Sequence, residues 1–184
     1  VPSPAVVLTP SDPCSPFAPV PPEAAGGAAP GFRRPYYLGA ASDSNDFGNP
    51  ADASAREQHG NFSLYAVTDQ DLWRAGGEHG ASFSGFARLG FAPDDRNLVN
   101  WYGDVGCNYQ GLLPQRDSDI LGAAFSYTRL SAGLGDEEVL ELSYQITCTR
   151  WLTVQPDLQF IFHPGARDSA ATATVLGVRC NFAF

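Results

Sequence analysis

At 184 residues the chain has the usual length of a single domain. Charged residues make up only 17% of it, while 19 Gly and 15 Pro are present, and this composition favours turns and strands over surface helices. The net charge of −9, with 11 scattered Lys and Arg, argues against a nucleic-acid partner because phosphate backbones are bound by clustered cations.

No stretch approaches the roughly 18 consecutive apolar residues of a membrane-spanning helix, so residence in a membrane would require strands. The chain begins at Val1 and contains no Met, as expected of a protein processed after a signal peptide or of a fragment of a longer one. Residues 1–35 are rich in Pro, Ala and Gly without a periodic apolar pattern, which predicts an extended or disordered lead-in.

From Tyr36 onward, strand-like runs are separated by clusters of Gly, Pro, Asn and Asp, which predicts one antiparallel all-β domain over 36–184. Several runs exceed the about 5–6 residues usual in soluble strands and reach the about 9–11 residues of strands that cross a membrane. We therefore predict a transmembrane β-barrel with about eight strands in this chain, complete or as part of a larger barrel. The runs cover 36–45, 61–73, 81–92, 98–113, 119–131, 139–151, 152–163 and 171–184.

Three runs, 139–151, 152–163 and 171–184, alternate between apolar and polar residues over most of their length. In 139–151, for example, Leu140 and Leu142 share one face while Glu141 and Ser143 share the other. Alternation alone does not say which face is inside, because a soluble β-sandwich with an apolar core has the same period.

Aromatic residues at the run ends favour apolar faces that point outward. Phe184 closes the last alternating run and looks like the terminal signal of outer-membrane barrels. Trp101, Tyr109, Tyr127 and Trp151 lie towards run ends, as the aromatic girdles of such barrels do. With a periplasmic C-terminus, four connections are expected outside the cell. These are 46–60, 92–98, 131–138 and 163–170.

Four sequence motifs occur along the second half of the chain. They are the PDDRN segment at 93–97, the turn at 111–114 with Arg116 and Asp119, the segment 138–144 and the WLTVQPDLQ stretch at 151–159. Together they resemble the C-terminal half of the carbohydrate-selective porin (OprB-like) family, with the likeness extending over about 36–184. The resemblance implies an outer-membrane barrel for passive diffusion of carbohydrates, although family members are considerably longer. His163, where the family tends to have Asn, and three cysteines in strand-like runs are departures from its pattern.

Transport of this kind needs a wet path of hydrogen-bonding groups, which the polar faces of the runs would supply. The candidates for substrate contact and lumen lining are Arg88, Asp104, Asn108, Glu141, Gln145, Gln155, Asp157, Gln159 and Arg179. In the PDDRN segment, Arg96 is expected to pair with Asp94 or Asp95 and fix the loop.

Catalysis is not expected, although Glu141 and Asp157 on neighbouring runs are a conceivable glycosidase-like carboxylate pair. The spacing of Cys14, Cys107, Cys148 and Cys180 matches no metal motif, so no metal and no cofactor are predicted, and the last three are expected to be free thiols on the apolar face. The expected partners are outer-membrane lipid, small carbohydrates, and further copies or a partner barrel subunit. Two alternatives stay open: a short or partial barrel with a structural role in a larger assembly, and a soluble all-β binding module.

Overall fold

The computed structural model describes residues 35–76, 80–131 and 133–183. The predicted lead-in, Cys14, His79 and Phe184 lie outside the described residues, apart from Pro35 at the boundary of the lead-in. In the described ranges, no helix is long and apolar enough to cross a bilayer. The described strands are β1 (Tyr36–Phe47), β2 (Gln58–Arg74), β3 (Ser82–Phe91), β4 (Val99–Gln110), β5 (Ile120–Leu130), β6 (Asp136–Thr147), β7 (Leu152–Phe162) and β8 (Ala173–Phe182).

These strands form one sheet in which each strand pairs antiparallel with the next along the chain, from β1 to β8. The prediction of an all-β antiparallel fold is confirmed. Within the described part of the chain, β1 and β8 pair with one neighbour each and not with each other, so the sheet is open.

Strand bounds agree with the predicted runs to within a few residues, with one larger correction at β6. The predicted run 139–151 begins three residues too late and ends four residues too late. Residues Asp136 to Glu138 pair with β5, although a run of acidic residues is typical of a loop. Cys148 lies in the turn 148–151 instead of a strand. There the backbone N–H groups of Cys148 and Thr149 both donate to the carbonyl of Leu152. Cys107, Cys148 and Cys180 have no disulfide partner among the described residues.

The antiparallel order gives the sheet two ends with different connections. At one end, here called the loop end, the strands are joined by residues 48–57, 92–98, 131–135 and 163–172. The opposite end, the turn end, carries 75–81, 111–119 and 148–151. The four connections predicted to lie on one side of a membrane therefore share the loop end, although two of them are shorter than predicted.

One face of the sheet buries polar residues and the other exposes apolar residues, which is the reverse of the arrangement in a soluble protein. The face that contains Arg88, Asp104 and Gln159, here called the polar face, buries these residues to 9%, 5% and 6% exposure. On the other side, here called the apolar face, Leu38 and Leu176 are 85% and 80% exposed. Ile161 and Ala166 are the only buried apolar residues in the described ranges. The apolar side chains therefore do not form a core, which contradicts the soluble-module alternative.

Candidate functional site

All nine residues predicted to line a wet path lie on the polar face. The strand register places Arg88 directly opposite Asp104, Glu141 opposite Gln159, and Gln155 opposite Arg179. Each remaining candidate is an even number of residues from one of these on its own strand, so it points to the same side. The sheet therefore gathers hydrogen-bonding side chains from β3, β4, β6, β7 and β8 on one surface.

The best-defined cluster on this face joins β3 and β4. The Arg88 guanidinium contacts both carboxylate oxygens of Asp104, with Nε–Oδ1 at 2.9 Å and a second N–O contact at 2.7 Å. The Tyr102 hydroxyl donates to Asp104 Oδ2 at 2.9 Å. A bidentate Arg–carboxylate pair of this kind fixes both side chains in orientation as well as in charge.

A glycine makes room for the apolar support of this cluster. The Phe86 ring lies over Gly106 of the next strand, where an added Cβ atom would collide with the ring. Arg88 Cζ lies 5.0 Å from the centre of the same ring, in cation–π range. Gly106 therefore allows Phe86 to lie close to the sheet, within contact range of the guanidinium.

A second cluster joins β6 and β7. The Gln159 side-chain amide donates to Glu141 Oε2 at 3.3 Å and to Asp157 Oδ2 at 3.4 Å, so one amide bridges two carboxylates. Asp157 lies over Gly177 of β8, whose missing side chain leaves space for the carboxylate. The arrangement concentrates acceptor oxygens beside a single buried donor.

Between these clusters and the turn end lies a groove of about 300 Å³. It crosses five strands, and all but one of its lining residues are uncharged and polar, so it offers donors and acceptors without a strong net field. The groove is lined by Ser82, Ser84, Asn108, Gln110, Ile120, Ser143, Gln145 and Gln155. Three of the predicted residues, Asn108, Gln145 and Gln155, are among them, whereas the serines were not predicted because short hydroxyl side chains are common in turns and strands alike.

The PDDRN segment at the loop end is held by its own ion pair and by its neighbours. Arg96 contacts both Asp95 carboxylate oxygens, at 2.8 and 2.9 Å, and donates to the carbonyl of Gly60 at 2.7 Å. The hydrogen bond from Arg96 lowers the pKa of Asp95, and the same contact raises the pKa of Arg96. Asp94, the other predicted partner, is exposed.

Asn97 was not predicted to hold the loop, yet it makes more contacts than its neighbours. Its side-chain amide exchanges two hydrogen bonds with that of Asn61 on β2, at 2.8 and 2.9 Å, and also donates to the carbonyl of Pro93. The fully buried Ser131 donates through its hydroxyl to the Asn97 carbonyl. These contacts attach the 92–98 connection to β2 and to the 131–135 connection. They join residues far apart in the sequence, so no local sequence pattern predicts them.

Asp119 fixes the turn between β4 and β5. It is only 2% exposed and accepts hydrogen bonds from the Thr147 backbone N–H, the Tyr144 hydroxyl and Arg116. Burial alone would raise the pKa of Asp119, but these hydrogen bonds outweigh it and hold the pKa below its ordinary value. The turn is therefore anchored through a carboxylate that must remain ionised.

On the apolar face, aromatic rings gather in two bands. Near the loop end, Phe91 packs between Phe62 and Trp101, with ring centres 6.2 Å apart in both pairs. Near the turn end, Tyr109 packs against Trp73 and Phe83 at 6.4 Å. Trp101 and Tyr109 are eight residues apart on β4, or roughly 27 Å along the strand. At the strand tilt of about 35–45° usual in transmembrane barrels, this spacing corresponds to roughly 19–22 Å along the membrane normal, close to the apolar band of about 25 Å.

A long-stranded antiparallel sheet with a buried polar face, an exposed apolar face and two aromatic bands defines part of the wall of an outer-membrane β-barrel. Comparison with known proteins gives the family. Residues 27–184 match the carbohydrate-selective porin, OprB family, and the chain belongs to that family. It is accordingly a protein of the bacterial outer membrane.

Individual relatives agree with this assignment. Porin B of Pseudomonas aeruginosa is 27% identical over 165 residues, which cover 76% of this chain and 35% of the relative. The high-pH structure of Pseudomonas putida OprB has the same fold, with a TM-score of 0.73 at 22% identity, covering 83% of this chain and 47% of that one. Its low-pH structure gives a TM-score of 0.51 at 24% identity, over 66% and 38%. The chain thus spans about half or less of the length of the relatives it matches.

Proposed function

We propose that this chain forms part of the wall of an outer-membrane channel through which small carbohydrates diffuse passively. The observation that carries the proposal is the distribution of residues over the two faces of the sheet. The buried face is polar across at least five strands, and the exposed face is apolar. A water-filled path needs such a surface, because a permeating sugar must exchange its hydrogen bonds to water for equivalent ones to the wall.

The residues proposed to line the path are the nine polar-face candidates, together with the serines of the groove. Their chemistry suits an uncharged polyhydroxyl solute. Hydroxyl and amide groups dominate the groove, and Arg88 and Asp104 neutralise each other beside it. Binding through such groups is weak and easily exchanged with water, as passage requires.

The open sheet supports a role within a larger barrel. A closed barrel of eight strands has an interior largely filled by side chains, whereas aqueous channels use roughly 16–18 strands. β1 and β8 each have one unpaired edge in the described part of the chain, and in a membrane such edges need partner strands. We propose that these come from further residues of the same polypeptide or from another subunit, and that the assembly transports rather than only supporting other proteins. Membership of a porin family favours transport over the purely structural alternative.

A catalytic role receives little support from the geometry. The two carboxylates that resemble a glycosidase pair, Glu141 and Asp157, share the Gln159 amide as donor. The described histidines, His59 and His163, pair with Asp46 and Glu138 at the loop end, away from the groove. We therefore propose a channel without enzymatic activity.

The experiment is a liposome-swelling measurement with the natural full-length polypeptide and with two tryptophan variants. Ser84→Trp places a bulky ring in the groove, whereas Val105→Trp places the same ring on the apolar face, where Val105 is exposed. We expect sugar influx with the unaltered protein, reduced influx with Ser84→Trp and unchanged influx with Val105→Trp. Folded protein that admits no sugar, or equal influx through both variants, would overturn the proposal.

A further inference from the structure

A histidine and two carboxylates meet on the apolar side of the loop end, away from the groove. Asp136 and Glu138 lie on β6, and His163 directly follows β7. One potential ligand atom from each of the three residues lies within 4.8 Å of those of the other two. All three side chains are partly buried, and this is the only such group found in the described part of the chain.

The strand register explains how residues distant in sequence come together. Asp136 and Glu138 are two positions apart on one strand, so their side chains point to the same face. Glu138 is directly opposite Phe162 on β7, and His163 is the next residue along. The backbone of His163 turns to a φ of +49° as the strand ends.

Neighbouring groups hold these side chains in place. The Tyr127 hydroxyl donates to Asp136 Oδ2 at 2.9 Å, and His163 Nδ1 lies 3.0 Å from Glu138 Oε2. Glu137, on the opposite face of β6, accepts a hydrogen bond from the Gly165 backbone N–H at 2.6 Å. The connection 163–172 is thereby fastened to the start of β6 from both faces of the sheet.

We propose that Asp136, Glu138 and His163 form a binding site for a divalent metal ion of the zinc class. An imidazole nitrogen and carboxylate oxygens are ligands that Zn²⁺ takes at about 2.0–2.2 Å in a tetrahedral arrangement, so two ligands of one ion lie about 3.3–3.6 Å apart. The candidate ligand atoms lie within 4.8 Å of one another, and side-chain movements of roughly 1–1.5 Å would bring them into that range. Three protein ligands leave at least one position for water.

The chemistry of the cluster separates this site from an ordinary ion pair. His59 and Asp46, also at the loop end, lie 2.8 Å apart, yet no third ligand joins them among the described residues. Their side chains are 77% and 63% exposed, against 42% for His163 and 26% for Glu138. The pair of His163 with Glu138, in contrast, has a second carboxylate beside it, a tyrosine that orients this carboxylate, and side chains that are less exposed to solvent. Orienting partners and limited access of water are features of protein metal sites.

Bound metal would clamp the connection 163–172 to the first residues of β6. The loop end would become more rigid, while the groove near the turn end would be unaffected. This inference is independent of the proposed transport of sugars, because it concerns a different part of the sheet.

The test is equilibrium dialysis of tag-free, folded protein against Zn²⁺, with Co²⁺ absorption spectra as a second measurement. We expect one saturable ion per chain in the unaltered protein and in the matched control His59→Ala. His163→Ala and Glu138→Gln should each weaken binding by at least roughly tenfold, because loss of even an orienting partner lowers affinity about 10–100-fold. The visible Co²⁺ bands should also disappear in His163→Ala.

Tyr127→Phe tests the orienting hydroxyl without altering a ligand, and it should weaken Zn²⁺ binding by about tenfold. Heat-modifiable mobility in gels confirms that each variant is folded before dialysis. Absence of saturable binding to the folded, unaltered protein would overturn the proposal. Equal binding by His163→Ala and by the unaltered protein would overturn it as well.

Discussion

Arg88 and Asp104 lie directly opposite each other on β3 and β4, and their side chains meet in a two-pronged ion pair that is almost closed to solvent. The Asp104 side chain is 1% exposed and that of Arg88 is 11%. Two charges withdrawn from water in this way are stabilising only as a pair. The sheet can therefore bury these two charged residues on its polar face only while both partners are present.

Removing one partner of this pair should lower the free energy of unfolding far more than replacing both partners with apolar residues. Asp104→Leu should lower the free energy of unfolding by about 3–5 kcal/mol, because the guanidinium loses its carboxylate in a buried setting. Arg88→Met in the same chain should restore much of that loss. Urea unfolding in lipid vesicles measures both.

The ion pair of Arg74 with Asp71 provides the control, since the side chains of Arg74 and Asp71 are 52% and 20% exposed, more than those of Arg88 and Asp104. Arg74→Ala should cost at most about 1 kcal/mol. If Asp104→Leu were no more costly than Arg74→Ala, the Arg88–Asp104 pair would not be buried in the membrane-embedded protein.

Acid should loosen the turn between β4 and β5. Because hydrogen bonds hold the pKa of Asp119 below its ordinary value of 3.8, its ionised form stabilises the fold above that value. The stabilisation is lost as the pH falls through the lowered pKa. Asp119→Asn should cost about 1–3 kcal/mol at neutral pH and make unfolding less dependent on pH below about 4.

Unfolding measured from pH 6 to pH 2 checks this prediction. Asp168→Asn, in the exposed 163–172 connection, is the control and should follow the unaltered protein. An identical acid dependence for Asp119→Asn and the unaltered protein would exclude Asp119 as the group responsible.

Much of the fold is readable from the sequence, because strand alternation and turn residues are local signals. The runs at β7 and β8 were placed within two residues at each described end. The predicted start of β6 is three residues late, because three consecutive acidic residues, Asp136 to Glu138, are typical of a loop. In the structure these residues pair with β5, and Tyr127 and His163 contact the side chains of Asp136 and Glu138. Alternation also assigned the nine candidates to one face.

The sequence did not reveal which of these side chains meet. Arg88 and Asp104 are sixteen residues apart, and only the register of β3 against β4 makes them partners. Asn97 depends in the same way on contacts from Asn61 of β2 and from Ser131 of the 131–135 connection. The arrangement of Asp136, Glu138 and His163 has no local sequence signature, because the pairing of β6 with β7 is what brings His163 next to the two carboxylates.

The guanidinium of Arg96 should be needed for order in the 92–98 connection. Lysine keeps the charge but cannot contact both Asp95 oxygens and the Gly60 carbonyl in one plane. Since Asp95 is 40% exposed, the loss is expected to be about 1 kcal/mol, which corresponds to roughly fivefold faster amide exchange in the loop. Hydrogen exchange by mass spectrometry measures it for Arg96→Lys.

Arg56→Lys, on the exposed 48–57 connection, makes the same chemical change without the two-pronged pair. It should leave exchange in 92–98 unchanged. Equal exchange in the two variants would mean that Arg96 does not fix the loop.

Ion selectivity should depend on Glu141, whose carboxylate lies on the polar face beside Asp157. A unit charge about 4 Å from a passing ion contributes about 1 kcal/mol in water. Glu141→Gln should therefore lower the preference for cations by up to roughly fivefold, measured as a shift in reversal potential across a planar bilayer. Glu57→Gln, in an exposed connection, should leave the potential unchanged, and an equal shift in both variants would show that Glu141 does not face the path.

The orientation of the sheet in the membrane is the central claim, and two adjacent residues of β8 test it. Leu176 points to the apolar face and is 80% exposed, whereas Val175 lies opposite Gln159 on the polar face. The measurement is the free energy of folding into lipid vesicles for Leu176→Arg and Val175→Arg. The account predicts a loss of about 2–4 kcal/mol for Leu176→Arg, because its charge would enter lipid, and little change for Val175→Arg. Equal losses, or a larger loss for Val175→Arg, would contradict an outward-facing apolar surface.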